Sequence, residues 1–158
     1  MLSNPILSDG KLLFDAAHGN LLPAAALDAA SLTAATVALA RQTTMGGAPL
    51  HLVARTVLVG PALAATAGAL VASITPANTP PEAGLQVVED PRIPGTGWYL
   101  AADPHPHATI VTAYRRGGQD PELLSADGFD TDSRDYKGRL DFGAACVSAA
   151  GMVYTPAA

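Results

Sequence analysis

The sequence predicts an α+β fold, on three observations. Residues 28–42 read as an early helix, residues 52–74 read as a strand followed directly by a helix, and the segments from Leu85 onward read as short strands with no helix between them. Helices set apart from a run of strands mark α+β architecture, whereas a doubly wound α/β sheet alternates the two throughout. A chain of 158 residues suits one domain, or two small lobes sharing a core.

The elements follow in order. Asp9-Gly10 is a turn signal, and Lys11-Leu12-Leu13-Phe14 after it reads as a short strand. Gly19-Asn20 and Pro23 read as loop. Asp28 is placed to cap the first helix by accepting from a free backbone N–H, and the helix stops before Gly46-Gly47. Leu32, Ala35 and Leu39 fall on one side of it, and Ala30, Ala34 and Val37 on nearly the opposite side. A helix with two apolar faces is either sandwiched within the fold or pressed between the domain and a neighbour.

Leu52 to Val59 is a nearly unbroken run of strand formers, which suits a central strand covered on both faces. Gly60-Pro61 then turns the chain into a helix, with Pro61 at the first position, where its missing N–H costs nothing. Leu63, Ala67, Leu70, Val71 and Ile74 make one apolar stripe at helical spacing. Residues 75–84 are a loop rich in proline and small residues. Strands are expected at Leu85–Glu89, Trp98–Ala102 and Thr109–Tyr114. Further short strands are expected at Glu122–Leu124, Asp127–Phe129, Tyr136–Phe142 and from Cys146 onward, separated by acidic turns.

Composition excludes several classes. Hydrophobic residues make up 49% and charged residues 15%, which is the reverse of a disordered chain. Alanine is about a fifth of the residues, so the low charge reads equally as surface hidden against neighbours or as compositional bias. A net charge of −5, with Arg115-Arg116 the lone adjacent basic pair, gives no basic nucleic-acid footprint. The single Cys146 forms no internal disulfide, as suits a reducing compartment. The N-terminus does not read as a signal peptide, and the longest apolar run, Leu63 to Ile74, is too short to cross a bilayer.

Candidate chemistry is sparse. His105 and His107 in Pro-His-Pro-His would point the same way from an extended segment and could share a metal, but no motif supplies further ligands. Asp127, Asp130, Asp132 and Asp135 resemble a calcium loop only loosely. Counting from Asp130 puts Arg134 where an oxygen ligand belongs, and hairpin turns with capping aspartates fit better. Cys146, between Ala145 and Val147, reads as a small buried thiol. His18 and His51 belong to no nucleophile motif, and Met45-Gly46-Gly47 follows a helix where a phosphate loop would open one. No catalytic, cofactor-binding or metal-binding residue is assigned, and no cofactor is expected.

Four segments taken together carry a resemblance. They are residues 13–21 (Leu-Phe-Asp-Ala-Ala-His-Gly-Asn-Leu), residues 55–63 (Arg-Thr-Val-Leu-Val-Gly-Pro-Ala-Leu), residues 98–104 (Trp-Tyr-Leu-Ala-Ala-Asp-Pro), and Asp127-Gly128-Phe129-Asp130 running into residues 135–144. In order and content they resemble the C-terminal half of Mu-like major head proteins and the capsid part of prohead protease–major capsid fusion proteins, over residues 13–146. That resemblance implies an HK97-like capsid fold with a spine helix at 28–42, a peripheral β-sheet and an axial α/β lobe. Residues 1–50 and 109–158 would be peripheral and 51–108 axial. It implies a phage or prophage head subunit that is not an enzyme, built into the virion capsid and assembled in the bacterial cytoplasm. The implied partners are copies of itself in pentameric and hexameric capsomers, other head proteins, and packaged DNA held without sequence-specific contact, with no membrane.

The sequence departs from that pattern. About 27 residues precede the helix, too few for both the long N-terminal arm and the extended hairpin of the family, and the tail from Ser148 lacks a polar ending. Two other readings stay open: a small enzyme using Asp130, Asp132, His105 or His107, and an encapsulin-like compartment shell.

Overall fold

The computed structural model describes residues 4–44, 46–75, 84–105, 107–115, 119–128, 130 and 132–158. In chain order the elements are α1 (Ala29–Ala40), β1 (Ala54–Val59), α2 (Ala64–Ile74), β2 (Gln86–Glu89), β3 (Trp98–Ala102), β4 (Ile110–Tyr114), β5 (Glu122–Asp127), β6 (Arg134–Arg139), β7 (Phe142–Cys146) and β8 (Met152–Thr155). The fold is α+β, as expected. It divides into two compact units, residues 1–109 with 146–158, and residues 110–145.

The larger unit is built on a four-stranded sheet of order β2-β1-β3-β8. β2 lies parallel to β1, from Thr56 beside Gln86 to Val59 beside Glu89, so β1-α2-β2 is one crossover unit. β3 runs antiparallel to β1, and β8 antiparallel to β3. Successive side chains leave a strand on opposite faces, and both faces of this sheet are covered. Val57, Val59, Trp98, Leu100 and Val153 pack with Leu32, Ala35 and Leu39 of α1 and Ala67 of α2. Leu58, Tyr99, Ala101, Met152 and Tyr154 lie in a second cluster with Leu7, Leu13, Phe14 and Ile93. Two-sided burial explains why Val57, Leu58 and Val59 are apolar without alternation, while Val53, ahead of the strand, is exposed.

α1 has the capping geometry expected. Asp28 accepts from the Ser31 N–H at 2.7 Å, and the Ser31 hydroxyl accepts from the Asp28 N–H at 3.0 Å. Such reciprocal bonds satisfy two donors that the first turn leaves free. Asp28→Ala is expected to cost about 1 kcal/mol, measured by urea unfolding; an unchanged midpoint would show that the cap contributes nothing. Leu32, Ala35 and Leu39 are buried, while Val37 on the other side is 43% exposed, so the second apolar face is uncovered within the chain. The helix ends at Ala40, two residues short of expectation, and Gln42 turns into the core.

Before α2, Pro61–Leu63 forms one 3-10 turn. A Cβ on Gly60 would lie 2.4 Å from the Ile93 carbonyl oxygen, so the strand-to-helix switch requires glycine for close approach of backbone. On α2, Ala67 is buried, Leu63, Leu70 and Val71 are half-buried, and Ile74 is 48% exposed. Most of the expected loop 75–84 lies outside the described residues.

Three local expectations are corrected. Lys11–Phe14 is not a strand: Leu12 makes only an isolated bridge to Ile6, and both backbone groups of Phe14 bond to the Asn4 side chain. Tyr136–Phe142 is not one strand but is broken at Leu140-Asp141 between β6 and β7. The strand expected from Cys146 onward is likewise two pieces, β7 ending at Cys146 and β8 starting at Met152 after Gly151, whose φ is +96°.

The smaller unit, residues 110–145, holds two strand pairs, β4 with β7 and β5 with β6. At the ends of the first pair Val147 N–H donates to Thr109 O at 2.9 Å and Arg115 N–H to Asp141 O at 3.0 Å. The second pair is antiparallel from Glu122 opposite Arg139 to Asp127 opposite Arg134. The separate strands expected at Glu122–Leu124 and Asp127–Phe129 are corrected too: β5 runs unbroken from Glu122 to Asp127. Gly128 already turns, its N–H donating to Ser133 O at 2.9 Å, as the capping-turn reading of the acidic cluster expects, while Phe129 and Thr131 lie outside the described residues.

Candidate functional site

Within the larger unit a cavity of about 790 Å³ opens between the N-terminal segment, the end of α1 and residues 146–150. Asp9, His18, Arg41, His107, Cys146 and Ser148 are among its lining. Gly19, with φ +65°, closes a short 3-10 turn over Ala16–His18 and sets His18 back toward the Asp9-Gly10 turn. His18 Nε2 lies 2.7 Å from Asp9 Oδ2, and its Nδ1 lies 3.3 Å from the Leu13 carbonyl. The bond from His18, followed by one from the Lys11 N–H, holds the Asp9 carboxyl below its ordinary value.

A carboxylate with a lowered folded-state value contributes stability that is present above its ordinary value and lost as pH falls through the lowered one. Wild type is therefore expected to lose stability as pH drops below about 4, and His18→Ala to flatten that loss. Urea midpoints from pH 6 to pH 2 measure it, and parallel curves for the two proteins would refute the coupling.

His107 Nε2 lies 2.8 Å from the Ser148 hydroxyl, which also accepts from the Ala150 N–H at 3.1 Å. A serine–histidine pair invites comparison with a hydrolase, but among the described residues no carboxylate bonds to His107 to orient it, as nucleophilic catalysis requires. Ser148 and His107 instead close the loop before β8. Cys146 is half-buried on the cavity wall, more open than the buried thiol expected.

Two buried amides, which sequence reasoning missed, fix this region. Asn20 donates through Nδ2 to Leu13 O at 2.7 Å and to Ala149 O at 2.9 Å, and accepts from Asp15 N–H at 3.0 Å. Gln42 donates to Met152 O at 3.1 Å and accepts from Gly151 N–H at 2.7 Å. His105 uses only its backbone, donating to Asp103; Asp130 and Asp132 are exposed. Among the described residues no three His, Cys, Asp or Glu side chains group as metal ligands. In the acidic cluster Asp127 pairs with Arg134 at 3.1 Å.

The other notable surface is the smaller unit itself. No described residue from Ile110 to Ala145 is buried. Leu123 is 70% exposed, Tyr136 66% and Phe142 65%. Twelve of the chain's 23 charged residues lie in this unit, which leaves α1 and α2 with none. No helix of the described residues is long and apolar enough to cross a membrane.

A family model described as phage capsid protein matches residues 1–155, and the chain belongs to that family. As a member of a phage capsid protein family it is a structural protein and not an enzyme. No curated protein and no solved structure matches it.

Proposed function

We propose that the chain is a subunit of the icosahedral head of a tailed phage or prophage, with an HK97-like fold. Copies associate into pentameric and hexameric capsomers and, with other head proteins, enclose DNA. Assembly takes place in the bacterial cytoplasm, and the finished location is the virion capsid. The match of the capsid family along residues 1–155 carries this reading. The second apolar face of α1, centred on Val37, supports it, because an uncovered apolar helix face suits a neighbouring subunit. A net charge of −5 is compatible with DNA enclosed by the shell and not gripped by a basic face.

Within this reading α1 is the spine helix, residues 51–108 are the axial part around a capsomer symmetry axis, and residues 1–50 with 109–158 are peripheral. Those names describe positions in a shell. They need not coincide with separate cores, since β8 of the peripheral part bonds to β3 of the axial part.

Light scattering on a size-exclusion column, followed by negative-stain microscopy, tests the proposal. Rings or shells are expected at high protein concentration. A strict monomer under every salt and concentration condition would overturn an assembly-competent subunit, and closed shells loaded with protein cargo would favour a compartment shell.

A further inference from the structure

We infer that the ribbon of residues 110–145 is an intersubunit element that takes its missing core from a second copy of this chain. The inference rests on the reading of the chain as a self-associating capsid subunit, and names the surface and partner that reading leaves open.

An isolated pair of strands is at best marginal in water, because it has one layer and nothing to bury against. The two pairs here, β4 with β7 and β5 with β6, bury no described residue, yet seven of the fifteen large exposed hydrophobics among the described residues lie in them. Such a concentration of apolar side chains marks an interaction surface.

The register shows which face of β5–β6 is adhesive. Residues directly opposite share a face. Leu123 opposite Gly138 and Ser125 opposite Tyr136 make one uncharged face, bounded by the Asp127–Arg134 pair. Glu122 opposite Arg139, Leu124 opposite Lys137 and Ala126 opposite Asp135 make the other. One face is thus built for contact and the other for water. The described arginines of the ribbon pair within it, Arg134 with Asp127 at 3.1 Å, and Arg115 and Arg139 with Asp141 at 3.5 Å and 2.8 Å. These pairs lie off the Leu123–Tyr136 contact patch, so that patch suits an apolar partner surface, and membership of a capsid family makes a second copy the partner of choice.

Size narrows the arrangement. A pair of strands five or six residues long, at about 3.3 Å per residue and about 4.8 Å per strand, presents roughly 150–200 Å² on one face, so the two pairs together offer roughly 350 Å². That is under half of the roughly 800 Å² per partner in a stable interface. If each copy donates one ribbon and receives another, the area per copy doubles and approaches that value. Donating and receiving through different surfaces is a head-to-tail contact, which closes into rings.

Hydrogen exchange on the full chain, across its association transition, tests this. Amides of residues 122–127 and 134–139 are expected to gain at least about ten-fold protection on association, while those of β1 and β3 stay unchanged. Leu123→Asp with Tyr136→Asp is expected to raise the concentration needed for association roughly 100-fold. The emission of Trp98, the only tryptophan and fully buried in the larger unit, should stay the same and so report intact folding. Leu124→Asp on the opposite face is expected to change association less than about three-fold.

Rings whose ribbon amides exchange as fast as in the monomer would overturn the inference while leaving the capsid reading standing, as would a double variant that associates like wild type. Protection gained only on adding a different head protein would overturn the choice of a second copy. A chain that never associates would overturn both.

Discussion

Asn20→Leu is expected to lower the unfolding free energy by about 3–5 kcal/mol, one of the two largest single-residue effects in the molecule. Asn20 is fully buried, and leucine has the same number and branching of side-chain heavy atoms but is bulkier, so overpacking adds to the loss. The main change is in hydrogen bonding. Leu13 O, Ala149 O and Asp15 N–H all lose the partner that Asn20 supplies. A buried polar group without a partner keeps its full desolvation cost, about 1–3 kcal/mol each, and local relaxation recovers part of it. The bond to Ala149 spans 129 residues, so it ties the N-terminal segment to the approach to β8. With it goes the cover over Tyr99 and Met152, since Leu13 and Phe14 form that cover. For a chain of 158 residues the change corresponds to roughly 8–15 °C in Tm. Thermal unfolding followed by circular dichroism measures it, and a fall below about 1 kcal/mol would show that the Asn20 bonds are dispensable.

Gly151→Ala is expected to cost about 3–4 kcal/mol, for a different reason. Gly151 has φ +96°, a backbone conformation that residues with a Cβ seldom adopt. The new methyl would also stand 2.3 Å from the Thr109 hydroxyl oxygen. That hydroxyl donates to Ala150 O, and Gly151 itself donates to Gln42 and accepts from Ala102 N–H at 2.8 Å, so neither side yields without breaking a bond. The two contributions separate in a double-mutant cycle. Thr109→Ala removes the steric clash but not the strain, so adding it to Gly151→Ala should restore about 1 kcal/mol. Strict additivity of the two losses in urea unfolding would refute the clash.

Much of the fold was legible because its signals are local. The Asp28 cap, the opposed apolar faces of α1, the Gly60-Pro61 switch and the runs that became β1 and β3 each depend on residues within a few positions of one another. Backbone geometry alone sets what such neighbours can do. The capsid identity was legible in the order of four segments, and the family match along the chain agrees with it.

What the local signals did not contain is equally specific. Lys11–Phe14 has the composition of a strand, yet its backbone partner is the side chain of Asn4. Gly19-Asn20 has the composition of a loop, yet Asn20 is a buried clasp. Tyr136–Phe142 breaks at Leu140-Asp141, because the inner strand pair β5–β6 gives way there to β4–β7, and Asp141 meets Arg115. Most of all, residues 122–139 read as short strands between acidic turns, and the fold leaves every described residue of them unburied.

By itself, then, the sequence determined the α+β class, the caps and turns, the family, and which face of each element is apolar. The tertiary structure alone decided which of those faces find a partner inside the chain. Periodicity records that a face avoids water, whereas its partner is set by contacts between residues far apart in sequence, and among residues 110–145 no described residue is buried.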